Sequence, residues 1–195
     1  MILVQHRINT RAGLQQVPPR YGIEMDIRSQ GSHLVLHHDP FQPGEALTDW
    51  IQDYRHALLI LNVKEEGLEE PVLAIMRERN IDNFFFLDQS FPFLMRTVRR
   101  GERRCAARVS EFESVATALS LAGQIDWVWV DCFTRFPLDR TDYHRLREAG
   151  LRLCLVSPEL QGRTDTQEIM QMRTLLDHNG MFMDAVCTKY PDRWQ

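Results

Sequence analysis

The sequence lacks any apolar run approaching the roughly 20 residues that cross a bilayer as a helix, so no membrane-spanning helix is expected. It also lacks a basic excess: 23 Lys and Arg face 27 Asp and Glu, for a formal net charge of -4. Generic binding to nucleic acid or to an anionic membrane surface therefore has no charge to drive it, and any phosphate chemistry must be local. The first residues, Met1-Ile-Leu-Val-Gln-His6, carry neither the basic flank nor the long apolar stretch and small-residue cleavage site of a secretory signal. They read as a strand, and a cytoplasmic location is expected. Cysteine is sparse. Cys105, Cys132, Cys154 and Cys187 are widely spaced in apolar runs, the pattern of reduced core thiols and not of disulfides or a zinc site. No Gly-rich dinucleotide or P-loop signature follows any apolar run. Nor does a low-complexity stretch, internal repeat or linker divide the chain, so a single domain over residues 1–195 is expected.

What is present has globular proportions, with 44% hydrophobic and 26% charged residues. Short β-branched or aromatic runs alternate with stretches whose apolar residues recur at helical spacing. The runs are Ile2–His6, Gly22–Arg28, Leu58–Lys64, Phe84–Asp88, Cys105–Val109, Trp127–Asp131, Leu151–Val156 and Ala185–Thr188. Helices are expected over Leu68–Arg79, Phe93–Arg99, Phe112–Ala122, Asp142–Glu148 and Thr166–Asp177, with Asp142 as an N-cap and Gly101, Gly123 and Gly150 as stops. This α/β pattern predicts a compact (β/α)8 TIM barrel; a doubly wound open sheet is the rival. After the second strand, Gln30-Gly31-Ser32 has turn composition and His33–His38 reads as a return strand, giving a β-hairpin. Phe84–Phe86, Trp127 and Trp129 are expected in the core. The cluster Arg96, Arg99, Arg100, Arg103 and Arg104 follows a helix, where cations are favourable for dipole reasons alone.

Alternation along Tyr21–Arg28 places Glu24, Asp26 and Arg28 on one face of the strand, with Ile23, Met25 and Ile27 on the other. If the apolar face meets the helices, the two carboxylates point inward, where a cation or proton must compensate them. Two carboxylates so spaced suit magnesium or calcium. The same pair could instead be neutralised by Arg28, Lys64 or another base. In the third strand Asn62 and Lys64 share a face, an amide oxygen that can complete a hard-metal shell and an ammonium that can neutralise a phosphate oxygen. His6 and His38 end the first strand and the hairpin, where two imidazoles can divide general-acid and general-base work. Asp88, Arg108, Asp131, Glu159 and Lys189 also fall at or just beyond C-terminal strand ends, the face that carries barrel active sites. Each could equally serve as a loop cap or a buried ion-pair partner.

The chain resembles the glycerophosphodiester phosphodiesterases, and more broadly the phospholipase-C-like phosphodiesterase barrels. The resemblance lies in His6-Arg7, Gly22-Ile-Glu24-Met-Asp26, Leu36-His-His38-Asp39-Pro40, Asn62-Val-Lys64 and Asp184-Ala-Val-Cys-Thr188-Lys-Tyr-Pro191-Asp192, in family order along nearly the whole chain. It implies His6 and His38 as the acid/base pair, Arg7 and Lys64 as phosphate contacts, and Glu24 and Asp26 as ligands of a divalent cation. The chain departs from the pattern at Asn62, where the family usually has a third acidic ligand, so cation affinity is expected to be weakened or the cation dispensable. Ile8-Asn9-Thr10 follows His6-Arg7 directly, without the usual glycine and later acidic residue. Lys189 stands where an aspartate is frequent, Ser157-Pro158-Glu159 replaces an aromatic-containing sequence, and Pro40–Trp50 is too short for a folded substrate cap.

The expected activity is metal-assisted cleavage of a small soluble phosphodiester, as a hydrolase or a cyclising lyase, with no nucleic-acid partner and no stable membrane association. A non-catalytic phosphate- or sugar-phosphate-binding relative is the alternative that Asn62 favours. A barrel isomerase or aldolase using a desolvated Lys64 is a third reading.

Overall fold

Each of the eight expected strands is present, within two residues of its expected bounds, in the computed structural model, which describes residues 1–163, 165 and 167–195. The chain forms two compact units, one of Gln5–Glu102 and one of Met1–Val4 with Arg103–Gln195. Strand β1 (Ile2–Gln5) opens the chain. Within the unit of Gln5–Glu102 follow α1 (Arg11–Gln16), β2 (Gly22–Gln30), β3 (His33–Leu36), β4 (Glu45–Ala46), α2 (Leu47–Trp50), β5 (Leu59–Val63), α3 (Glu69–Glu78), β6 (Phe84–Leu87) and α4 (Phe91–Arg99). The other unit carries β7 (Ala106–Val109), α5 (Val115–Ser120), β8 (Trp127–Val130), α6 (Arg140–Glu148), β9 (Arg152–Val156), α7 (Gln167–Asn179) and β10 (Ala185–Thr188).

The sheet order in the first unit is β4-β3-β2-β5-β6, with β2, β5 and β6 parallel and β3 antiparallel to β2. In the second, β7, β8, β9 and β10 pair in parallel, each with the next in sequence. Winding of each parallel strand onto its successor, with a helix between, is the progression of a barrel; a doubly wound sheet reverses its order. The expected hairpin is present, with Gln30 opposite His33 and Ile27 opposite Leu36 around Gly31, whose φ is 63°.

Burial follows the side-chain period of the strands. Ile23, Met25 and Ile27 of β2 are fully buried, as are Leu58, Leu59, Ile60 and Leu61 at β5, a continuous apolar run suited to a strand covered on both faces. Phe84, Phe85, Phe86, Trp127 and Trp129 lie in the core as expected, and all four cysteines are buried thiols outside any disulfide. Helix α3 starts with Glu69, Glu70 and Pro71, where a missing N–H costs nothing, and buries Val72, Leu73 and Met76. Gly101, Gly123 and Gly150 all take the left-handed conformation that ends helices.

Several helix boundaries differ from expectation for identifiable reasons. Helix α6 is capped by Asp139, whose carboxylate accepts the Asp142 N–H at 2.8 Å, so Asp142 lies in the first turn and is not the cap. Helix α5 begins at Val115 and not at Phe112, because the Ser110 hydroxyl takes the N–H groups of Phe112 and Glu113 in a turn and Ser114 caps the helix. Phe112 and Ala122 are accordingly exposed. The expected helix start at Thr166 lies outside the described residues, and α7 is described from Gln167.

The segment after the hairpin is held close to β3. A Cβ built on Gly44 would stand 2.5 Å from the Leu36 carbonyl oxygen. Gly44→Ala must therefore push β3 and this loop apart and is expected to cost about 1–3 kcal/mol. An unchanged urea midpoint would show that the loop gives way freely.

Candidate active site

Strand β2 carries Glu24 and Asp26, each 1% exposed, on the face opposite Ile23, Met25 and Ile27. Parallel register sets Asp26 beside Asn62 of β5. The Asn62 Nδ2 group donates to Glu24 Oε1 at 2.8 Å, and Lys64 Nζ lies 3.3 Å from Asp26 Oδ1 and 3.3 Å from Asp88 Oδ2. Both halves of the inward Asn62/Lys64 alternation thus meet the carboxylates of β2. Lys64 engages two carboxylates, which does not favour the desolvated amine that carbonyl chemistry would use.

The loop after β1 closes the cluster. Arg7 has a φ of 56°, the left-handed region that is uncommon for a residue with a side chain, and this turns its backbone N–H onto Glu24 Oε2 at 2.7 Å. Its guanidinium Nε stands 3.6 Å from Asp26 Oδ2, and the His6 imidazole Nε2 stands 3.7 Å from Glu24 Oε2. Asn9 donates from Nδ2 to Asp26 Oδ2 at 2.8 Å and accepts the Asp26 N–H on Oδ1, also at 2.8 Å. Asp88 is a second left-handed residue, φ 60°, at the end of β6. Two of the four non-glycine residues with positive φ among the described residues thus lie in this cluster. Backbone strain of this kind gathers at ligand-handling sites.

Burial, and then the neighbouring Asp26 charge, push the Glu24 carboxyl up to about 7, against the opposing pull of the Asn62 amide, the Arg7 N–H and Lys64. Every oxygen of the two carboxylates takes a donor or cation from the protein. The Asn62 carbonyl oxygen, in contrast, is buried without a hydrogen-bond partner among the described residues. Two carboxylates and one unsatisfied amide oxygen form a hard-cation donor set. A third acidic charge is missing, and no group of three His, Cys, Asp or Glu suited to a metal exists among the described residues. Glu24, Asp26 and the Asn62 amide oxygen are oxygen donors of the type a hard divalent cation takes, and each carboxylate oxygen already has a protein donor or cation.

His38 follows the hairpin strand. Its carbonyl accepts Arg28 Nε at 3.0 Å and Nη2 at 2.8 Å, and its Nδ1 pairs with Asp39 Oδ1 at 2.8 Å. That hydrogen bond holds the Asp39 carboxyl below its usual range. Arg28, which shares the inward phase of Glu24 and Asp26, therefore anchors the His38 backbone and does not neutralise the carboxylates. A cleft of about 670 Å³ is lined by Arg7, Asn9, Thr10, His38, Asp39 and Glu45, so His38 and Arg7 face one space.

The remaining expected residues lie in the other unit. Arg108 is paired with the fully buried Asp131, which also accepts Gln161 Nε2 at 2.6 Å. Glu159 accepts the Thr188 hydroxyl at 2.6 Å and the Lys189 N–H at 2.9 Å, the bonding of a loop clamp. Burial pushes the nearby Cys132 thiol up to about 12, which leaves it a poor nucleophile. Three contributors went unassigned by pattern reading: Asn9, Asp39 in its pairing with His38, and Arg28 as an anchor.

No protein-family model matches the chain, and no curated protein matches it. Among solved structures, a glycerophosphodiester phosphodiesterase from Agrobacterium tumefaciens str. C58 matches with a TM-score of 0.69 at 16% identity, covering 99% of this chain and 97% of that one. A putative glycerophosphoryl diester phosphodiesterase from the same organism matches with a TM-score of 0.70 at 12% identity, covering 98% and 94%. A glycerophosphoryl diester phosphodiesterase from Parabacteroides distasonis ATCC 8503 matches with a TM-score of 0.69 at 14% identity, covering 98% and 84%. Likeness at this identity shows the fold, which is the (β/α)8 barrel class with a hairpin after the second strand.

Proposed function

We propose that the chain is a divergent relative of the glycerophosphodiester phosphodiesterases that cleaves a small soluble phosphodiester. The observation that carries this reading is the buried Glu24–Asp26 pair on which His6, Arg7, Asn62 and Lys64 converge. A scaffold likeness alone would not carry it, because one fold hosts many chemistries.

In this reading Arg7 and Lys64 hold phosphate oxygens. A water, or a neighbouring hydroxyl of the substrate, forms the new P–O bond while the bond to the leaving alcohol breaks. One histidine takes the nucleophile's proton and the other protonates the leaving oxygen. Water attack gives hydrolysis; attack by the neighbouring hydroxyl gives a cyclic phosphate. Asp39 fixes the His38 ring through Nδ1 and leaves Nε2 for proton transfer. Glu24, Asp26 and the Asn62 carbonyl would hold magnesium or calcium, which supplies charge stabilisation at the phosphoryl oxygens. The substrate class and the negative net charge suit a cytoplasmic enzyme without a nucleic-acid partner. No helix among the described residues is long and apolar enough to cross a membrane.

The test is turnover of glycerophosphodiesters and bis(4-nitrophenyl) phosphate with magnesium, calcium, manganese or chelator. Release of alcohol or nitrophenolate under at least one condition supports the reading, and its absence under all of them sinks it. The amide at Asn62 favours one second reading, a phosphate-binding relative without turnover; calorimetry with glycerol phosphate would then give binding alone. Asn62→Asp adds the missing charge beside an orphaned oxygen and is expected to tighten magnesium or calcium binding by about tenfold or more. Unchanged calorimetric affinity would remove Asn62 from the ligand set.

A further inference from the structure

Strand β1 ends at Gln5, yet hydrogen bonding along β2 continues past it. The Ile8 N–H donates to the Glu24 carbonyl at 2.8 Å, and the next donor on that edge, the Asp26 N–H, finds Asn9 Oδ1 at 2.8 Å. The Asn9 carboxamide takes the place of a peptide group. Its other half, Nδ2, donates to Asp26 Oδ2 at 2.8 Å, so one side chain grips both the backbone and the carboxylate of Asp26. With Oδ2 held, Oδ1 is the oxygen presented to Lys64.

The grip is anchored from behind. Thr10 caps α1 by accepting the Gly13 N–H at 3.1 Å, the Arg11 N–H donates to Glu45 at 2.6 Å, and the Arg11 guanidinium is paired with Asp53 at 2.5 Å. Asn9 therefore reaches Asp26 from a fixed base, where a long loop would have to be ordered on each binding event. Only a side chain with adjacent donor and acceptor at this length can make both bonds. Alanine makes neither. Aspartate keeps the acceptor and sets a second carboxylate against Asp26 Oδ2.

We propose that Asn9 is a positioning residue that sets which oxygen of Asp26 faces Lys64, the ammonium assigned to the phosphate, and so acts on turnover through Asp26. The kinetic arm rests on the phosphodiesterase reading; the structural arm does not. With bis(4-nitrophenyl) phosphate, Asn9→Ala is expected to lower kcat by about 10- to 100-fold, as a misplaced group does, with KM held within about twofold. Amide hydrogen exchange should show the Asp26 N–H losing protection in the same variant. Asn9→Asp should retain Asp26 protection without recovering kcat, which separates orientation of the carboxylate from simple continuation of the sheet. Ser114→Ala, which removes the cap of α5 away from these residues, should lose stability while leaving kcat within about twofold of wild type.

Recovery of kcat by Asn9→Asp, or equal kcat losses in Asn9→Ala and Ser114→Ala, would overturn the proposal. So would an Asp26 amide as well protected in Asn9→Ala as in wild type. If the wild-type protein turns over no diester, the phosphodiesterase reading fails, and the exchange result alone still decides whether Asn9 holds Asp26.

Discussion

His38→Ala is expected to lower kcat for bis(4-nitrophenyl) phosphate by about 10²–10⁴-fold, the range that a positioned general acid or base contributes. Its backbone and its ring are each held by a neighbour. Arg28 holds its carbonyl with two guanidinium nitrogens, and Asp39 holds Nδ1 at 2.8 Å. Asp39 on Nδ1 selects one tautomer and leaves Nε2 to exchange the proton. His6→Ala should cost a similar factor, because its Nε2 stands 3.7 Å from Glu24 beside the Arg7 turn. The double variant should lose little more than the worse single one, since removing either member stops the same proton circuit. Steady-state kinetics decide the matter. A rise in KM at unchanged kcat would make the histidines phosphate contacts only, and full activity in both variants would end the catalytic assignment.

The strands were legible because their signal is local: a run of β-branched or aromatic residues bounded by turn residues needs no knowledge of distant chain. The same holds for the Glu24/Asp26 and Asn62/Lys64 faces, since alternation alone puts each pair on one side. Helices α1 and α2, with six and four residues, are shorter than any window in which helical periodicity can be read. Asp142 reads as the cap of α6 from the sequence, but Asp139, the same residue type three positions earlier, holds that place. Asn9 sits in the Ile8-Asn9-Thr10 segment, whose residue types alone give it no role. Its meaning depends on Asp26, 17 residues away, and on an Arg7 backbone turned to positive φ. Arg28 shows the limit of facing arguments: its inward phase was right, but its length carries the guanidinium past the carboxylates to His38 and Glu65. Residue type and phase reveal which groups share a face, whereas partner choice is set by side-chain reach and loop geometry.

Between pH 5 and 8 the protein is expected to lose stability as pH rises, by up to about 3 kcal/mol through Glu24 alone. Burial and the Asp26 charge lift this carboxyl from 4.5 to about 7. An acid whose folded value is raised holds a proton that the unfolded chain has already released, so ΔG of unfolding falls with pH across that window. Asp53 and Glu111, both held at about 2, contribute in the opposite sense and in a lower window, with stability lost as pH falls below the usual carboxylate range. His56 is shifted down by burial, so the unfolded chain binds its proton first and stability from this group rises with pH up to its ordinary value. It partly offsets Glu24 in wild type and is unchanged in Glu24→Gln, so the difference between the two proteins isolates Glu24. The variant loses one charged hydrogen bond from Arg7 or Asn62, worth about 1–3 kcal/mol, yet its stability should be the flatter function of pH. Urea denaturation at intervals between pH 5 and 8 measures both slopes, and equal slopes would show that Glu24 titrates normally. A divalent cation ligated by Glu24 favours the ionised carboxylate, so saturating magnesium or calcium should flatten the wild-type slope in the same way. A slope that persists under saturating cation would place the ion elsewhere and leave Glu24 to the Asn62 amide and the Arg7 N–H.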